Sequence, residues 1–191
     1  MDALQLDPGD YAGTYKLVGG RLSLDLVNTV SWPGSERAHD WLDSPDNLNS
    51  WARAVGLPAF RAKSADVQAI AALRSELDAV LRPLAGDSKP SRRALDQLNT
   101  RIQDAALRRV IDPGTLAWKW KPADAVIDAF APVVLDAAEL ITAGDHQRLR
   151  HCPACNWLFE DRTRNGQRRW CDMADCGSRD KARRYYRRTQ E

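Results

Sequence analysis

All four cysteines of this 191-residue chain fall within its last forty residues, spaced Cys152-x2-Cys155-x15-Cys171-x4-Cys176. Two short cysteine pairs joined by a longer loop can bring four thiolates to one point, the complete tetrahedral ligand set of a structural zinc ion. Such a site has no open position for substrate or water, so one Zn2+ per chain would hold a fold and do no chemistry itself. Disulfides and a redox CxxC pair are the alternatives. The start, MDALQLDPGDYAG, lacks the basic and apolar regions of a secretion signal, so a reduced, cytosolic (cytoplasmic) protein is expected. A thioredoxin-type pair needs no second pair downstream. His151 could replace a thiolate, but with four cysteines present a surface or second-sphere role suits it better.

The second chemical signal is charge. From Arg148 to Glu191 there are twelve Lys and Arg against six Asp and Glu, whereas the first 147 residues hold sixteen against twenty. The whole-chain net of +2 conceals this asymmetry. Arginine grips phosphate bidentately and releases counterions, so Arg162, Arg164, Arg168, Arg169, Lys181, Arg183, Arg184, Arg187 and Arg188 are candidate nucleic-acid contacts. The plainer alternatives are a solvated basic face and docking onto an acidic partner surface.

These residues need elements to hold them. Cys152–Cys155 reads as a knuckle and Asn156–Glu160 as a strand; Asn165-Gly166 signals a hairpin turn from which Arg168–Trp170 returns as a second strand. The tail from Ser178 reads as a helix, with Ser178 as N-cap. Its Ala182, Tyr185, Tyr186 and Thr189 form a packing stripe opposite the basic face. Trp157 and Trp170 are expected to pack around the metal. So small a module lacks a core of its own, and coordination is expected to supply most of its folding energy, on the order of 10 kcal/mol.

Cys152-Pro-x-Cys155-x-Trp-x-Phe159 followed by Cys171-x4-Cys176-Gly177-Ser178-Arg179 resembles the bacterial CGNR zinc-finger family. In that family the finger follows an N-terminal domain called ABATE, and Gly19-Gly20-Arg21-Leu22-Ser23-Leu24-Asp25-Leu26-Val27-Asn28-Thr29 looks like its GGRLALDFVNT signature. The resemblance covers nearly the whole chain and implies a stress-induced transcription regulator whose finger binds DNA. Ser178 stands where the family has Asn. If that position caps the last helix, Ser serves equally; if it reads a base, the bidentate amide is lost. Arg179, at the edge of the packing stripe, is a further nucleic-acid candidate or a bridge between finger and first domain.

The first domain, residues 1–145, reads as mainly helical. Val67, Ile70, Leu73, Leu77, Val80 and Leu81 keep a three-four rhythm between a capping Ser64 and Pro83; Leu95, Leu98, Ile102 and Ala105 do so after Ser91. Val126 to Ile141 repeats the pattern, with Pro132 dividing or kinking it. Ser44-Pro45-Asp46 opens a shorter helix stopped by Gly56 and Pro58. Arg109–Ile111 and Leu116–Trp120 flank an Asp-Pro-Gly turn as a hairpin, the one clear strand pair. The segment Arg21–Val30 reads as a helix that lines up Arg21, Asp25 and Asn28, either as a small-molecule effector site or as a buried network in which Asp25 pairs with Arg21. The expected fold is α+β, mainly α, with the join near Ala143-Gly-Asp145 and the finger over residues 146–191. No P-loop, dinucleotide, HExxH or GxSxG motif occurs, there are only three histidines, and no apolar run could span a bilayer, so neither an enzyme nor a membrane protein is expected. A single finger makes few contacts, so a homodimer presenting two to DNA is expected. A protein-interaction or RNA-binding module is the alternative.

Overall fold

A computed structural model describes residues 3–143 and 145–190. The chain is α+β and mainly helical. Helix α1 (Leu22–Val27) leads into a two-residue antiparallel ladder of β1 (Val30–Ser31) with β2 (His39–Asp40). Helices α2 (Pro45–Ala54), α3 (Ser64–Ala85) and α4 (Arg92–Ala106) follow, then the hairpin of β3 (Arg109–Ile111) and β4 (Trp118–Trp120). Next come α5 (Val126–Ala129) and α6 (Ala131–Thr142). Beyond a 3-10 turn, β5 (Leu149–His151) pairs with β6 (Leu158–Glu160), and α7 (Ser178–Gln190) ends the described chain.

The local signals explain the boundaries. Ser44 and Ser91 accept the backbone N–H of Asn47 and Ala94, so α2 and α4 start where short side-chain acceptors stand. At α3 the cap lies one residue earlier than Ser64: the Lys63 N–H donates to Asp66, and Ser64 is the first helical residue. Pro132 divides its stretch as expected. The helix breaks at Phe130, leaving Pro132 in the first turn of α6, where a missing N–H costs nothing.

The short α1 is the axle of the molecule. Its Leu24 and Leu26 are fully buried between α3 (Ile70, Leu73, Leu77, Leu81) and α6 (Val133, Ala137, Leu140), with Tyr15, Trp41, Trp51 and Phe130 closing the core. Arg74 of α3, itself buried, ties in β2 through Asp40 and also donates to Thr29. The same apolar cluster continues without a break into Leu149, Trp157, Leu158, Phe159 and the four cysteines. The C-terminal segment, expected to lean on the metal for want of a core of its own, therefore also shares the core of the rest. By contrast Ile111, Leu116 and Trp118 of the β3–β4 hairpin stand exposed.

Candidate metal centre

The β5–β6 hairpin closes across the knuckle: the Cys152 N–H donates to the Trp157 carbonyl and the Asn156 N–H to the Cys152 carbonyl, each at 2.8 Å. Asn156 takes the left-handed conformation (φ 64°) that so tight a reversal needs, and Asn tolerates it better than most residues. Here the sequence expectation is corrected. Asn156–Glu160 contributes its strand, but the partner precedes the knuckle, and Arg168–Trp170 is not a strand.

Residues 161–171 instead form a loop gathered by one buried carboxylate. Asp161 accepts from the Thr163 N–H and hydroxyl (2.9 and 2.6 Å) and from the Arg168 N–H (2.8 Å). Burial alone would raise its pKa, but these bonds outweigh it and hold the carboxyl below its ordinary range. Arg168 lies over the Phe159 ring and donates to the carbonyls of Trp170 and Cys171, delivering Cys171 to the knuckle. The second pair is set by a single π-turn, Met173–Gly177, whose N-cap is Asp172 accepting from the Ala174 N–H. Because α7 continues directly from this turn, Ser178 is not an N-cap; its hydroxyl donates to the Met173 carbonyl.

The four sulfurs are buried and lie within 4.8 Å of one another, with Cys155–Cys171 at 3.5 Å and Cys171–Cys176 at 3.7 Å. Tetrahedral zinc with Zn–S bonds of about 2.3 Å requires edges of about 3.8 Å, whereas a disulfide needs about 2.05 Å. The cluster thus fits one zinc ion and no disulfide. Four sulfurs this close cannot all lose their protons unaided. Hydrogen bonds from Cys155, Cys171 and Cys176 hold the Cys152 thiol far below the ordinary value, and the bond with Cys152 pushes Cys155 and Cys171 far above it. A dication removes that conflict. Arg179 donates to Cys176 Sγ at 3.1 Å and pairs with Asp175, offsetting thiolate charge, while His151 is exposed outside the cluster.

The residues singled out in the first helix lie against this segment. Asn28 is buried and clamps Leu158 of β6: Nδ2 donates to the Leu158 carbonyl and Oδ1 accepts its N–H, both at 2.8 Å. Arg21 meets Asp136 (3.1 Å) and Glu139 rather than Asp25. Asp25 accepts the Gly19 N–H at 2.8 Å. The two glycines are explained as well. A Cβ on Gly19 would sit 2.7 Å from that of Leu24, and Gly20 adopts φ +79°. Arg21, Asp25 and Asn28 thus each have separate partners, only Asn28 is buried, and the expected Arg21–Asp25 pair is replaced by Arg21 with Asp136. Further seams are Trp157 Nε1 to the Val30 carbonyl (2.9 Å), the Glu160 N–H to the Gly19 carbonyl (2.9 Å) and Lys16 to Asp172 (3.0 Å). Sequence reasoning passed over Lys16, Asp161 and Asp172, although Asp161-x-Thr163 and Asp172-x-Ala174 carry the Asx signals of a turn and a cap.

Burial pushes the Asp25 carboxyl from 3.8 up to about 7; the Gly19 hydrogen bond opposes the rise, Asp136 adds to it and Arg162 opposes it. Between those values the folded chain keeps a proton that the unfolded chain has lost, so this group makes stability fall as pH rises from about 4 to about 7 and adds no slope above. Asp25→Asn is expected to flatten that part of the profile. Urea midpoints at about pH 5 and about pH 8 are the measurement, and an unaltered difference in the variant would refute the assignment.

The basic candidates separate into two groups. Arg162 pairs with Glu160 and donates to the Gly20 carbonyl, Arg168 and Arg179 are engaged as above, and Arg184 pairs with Asp180 at 3.0 Å. Arg164, Arg169, Lys181, Arg183, Arg187 and Arg188 make no ion pair among the described residues, with Arg169 stacked on Trp170. The expected packing stripe on α7 is not used. Ala182, Tyr185, Tyr186 and Thr189 are all exposed, the tyrosines at 66%.

Two family descriptions match the chain. ABATE, described as "Putative stress-induced transcription regulator", matches residues 20–144, and the CGNR zinc finger matches residues 148–189. None of the curated proteins matches it. No helix among the described residues is long and apolar enough to cross a membrane. With the signature Gly19–Thr29 seated against a four-cysteine zinc site and more than half the chain matched, this protein belongs to the ABATE family and ends in a CGNR zinc finger.

Proposed function

We propose that the protein is a cytoplasmic transcription regulator that binds duplex DNA through α7, with the ABATE domain receiving a small-molecule signal and assembling a homodimer. It is a binding protein, not an enzyme. The observation that carries this reading is the state of α7: exposed from Ser178 to Thr189 apart from a half-buried Asp180, and bearing Arg179, Lys181, Arg183, Arg184, Arg187 and Arg188 against that one acid. A solvent-facing helix of this charge matches a major groove in width and in potential. The zinc site supports it from behind, since the ion fixes the turn from which α7 springs. Arg164 and Arg169, exposed on the loop before Cys171, are further candidate phosphate contacts; Arg162, Arg168 and Arg179 hold the finger in shape. Two such helices in a dimer would supply enough contacts for useful affinity.

Gel-shift titration at several salt concentrations tests this. Affinity is expected to fall steeply with salt, with a log–log slope of about 0.9 per phosphate neutralised, and to favour some sequences over bulk competitor. Replacing Arg183, Arg184, Arg187 and Arg188 with alanine should cut the slope by about four and leave zinc content unchanged. Full binding by that variant would sink the α7 assignment. Preferential capture of single-stranded RNA, or of an acidic protein surface, would move the finger to another class of partner.

A further inference from the structure

A cleft of about 650 Å³ lies where the segments Tyr11–Lys16 and Ser31–Arg37 face the zinc site. One wall is aromatic. Trp32 is held at φ +52°, a left-handed backbone that bulky residues rarely adopt and that tends to be retained where it displays a side chain for use. The Ser35 N–H and hydroxyl both donate to the Trp32 carbonyl and fix that turn. The Trp32 indole N–H donates to Tyr11 Oη at 2.9 Å, which ties the two residues and leaves the phenolic hydrogen free to donate, while the Tyr11 ring itself is stacked on His39 at 4.3 Å.

Positive charge in the cleft comes from three side chains, of which two are spent. Lys16 is paired with Asp172, and Arg179 with Asp175 and Cys176 Sγ. Arg37 lies over the Trp32 ring at 4.6 Å, exposed, and no carboxylate pairs with it among the described residues. The cleft therefore offers the Trp32 indole, the Tyr11 hydroxyl as a donor and one guanidinium that rests on the indole without a carboxylate partner among the described residues. That donor set matches one carboxylate on one planar ring system, since guanidinium binds carboxylate bidentately and stacked aromatics contribute area at low entropy cost.

We propose that this cleft is a binding site for a planar aromatic carboxylate, its ring against Trp32 and its carboxylate on Arg37 and the Tyr11 hydroxyl. The proposal deepens the regulator reading in one respect: as an effector, such a ligand would reach the root of the DNA helix. Arg179, in the first turn of α7, lines the same cleft and stands 5.9 Å from the Trp32 ring centre, so an occupant of the aromatic wall meets the residue that ties α7 to the metal site.

The test uses zinc-loaded full-length protein without DNA and 2-naphthoate as the probe, followed by calorimetry. Saturable binding is expected with Kd in the range of about ten micromolar to about one millimolar, as befits a fragment of that size. Arg37→Leu should weaken it about tenfold or more, the effect of losing a charge-assisted contact, with melting temperature and zinc content unchanged. Trp32→Ala is a second variant should Arg37→Leu fold poorly, and it should lose binding comparably. 2-Naphthylmethylamine, a cation of similar shape, should bind far more weakly. Absence of saturable naphthoate binding, equal binding by a well-folded Arg37→Leu, or equal binding of the amine would each overturn the proposal. The α7 alanine variant should still bind naphthoate, so failure of the DNA reading and failure of the cleft are separate results.

Discussion

Removing the zinc, by chelation or by Cys171→Ser, is expected to unfold the C-terminal segment and to take much of the first domain's stability with it. Coordination of a structural zinc by four thiolates contributes on the order of 10 kcal/mol or more, against a whole-domain stability of about 5–15 kcal/mol. Were the segment an independent module, that loss would stay local. It is not, because Trp157, Leu158 and Phe159 are buried in the same cluster as Leu24, Leu77 and Leu81. Without the metal, Cys171 and Cys176 no longer anchor the loop and turn, and β6 is left with its β5 ladder and the bonds from Gly19 and Asn28. The expected readouts are equimolar zinc by elemental analysis, a large fall in melting temperature on chelation, and a red-shifted tryptophan emission as Trp157 meets water. A metal-free protein with intact thiols and an unchanged melting curve would refute the site.

Asn28→Ala should destabilise the chain by about 2–5 kcal/mol. Both the N–H and the carbonyl of Leu158 rely on this one amide in a dry setting, and each buried backbone group left unpaired costs about 1–3 kcal/mol. Asn28→Asp keeps the acceptor but loses the donor and sets a carboxylate against the Leu158 carbonyl, so it should be at least as harmful. Urea denaturation measures both. A loss below about 0.5 kcal/mol for Asn28→Ala would mean that the seam is held by apolar packing alone. The two experiments approach one boundary from opposite sides, since zinc holds β6 from the finger and Asn28 holds it from α1.

The failed expectations have related causes. Ser178 looked like an N-cap because a small hydroxyl stood before a helical run, yet Asp172 takes that role one turn earlier through a π-turn that no simple periodicity reveals. Arg168–Trp170 looked like a returning strand because Asn165-Gly166 is a strong turn signal. The turn is present, but the strand's ladder partner was already claimed by Leu149–His151. Tyr185 and Tyr186 fell on one helical stripe and so read as packed; among the described residues nothing covers them.

The sequence by itself determined the metal ligands, the helices α2, α3, α4 and α6, and the concentration of cations at the end of the chain. Each of these rests on identity and short-range spacing: four thiols, a three-four apolar rhythm with Ser caps, a count of arginines. Only the tertiary structure decided which arginines are unpaired, which partners Gly19–Thr29 meets, and which side chains line the cleft at Trp32. Those answers depend on contacts such as Asn28 with Leu158, 130 residues apart, and Lys16 with Asp172, 156 apart. A hydrogen-bonding side chain has the same local pattern whether its partner is a ligand, a phosphate or a distant strand, so its role is settled only when the fold brings that partner to it.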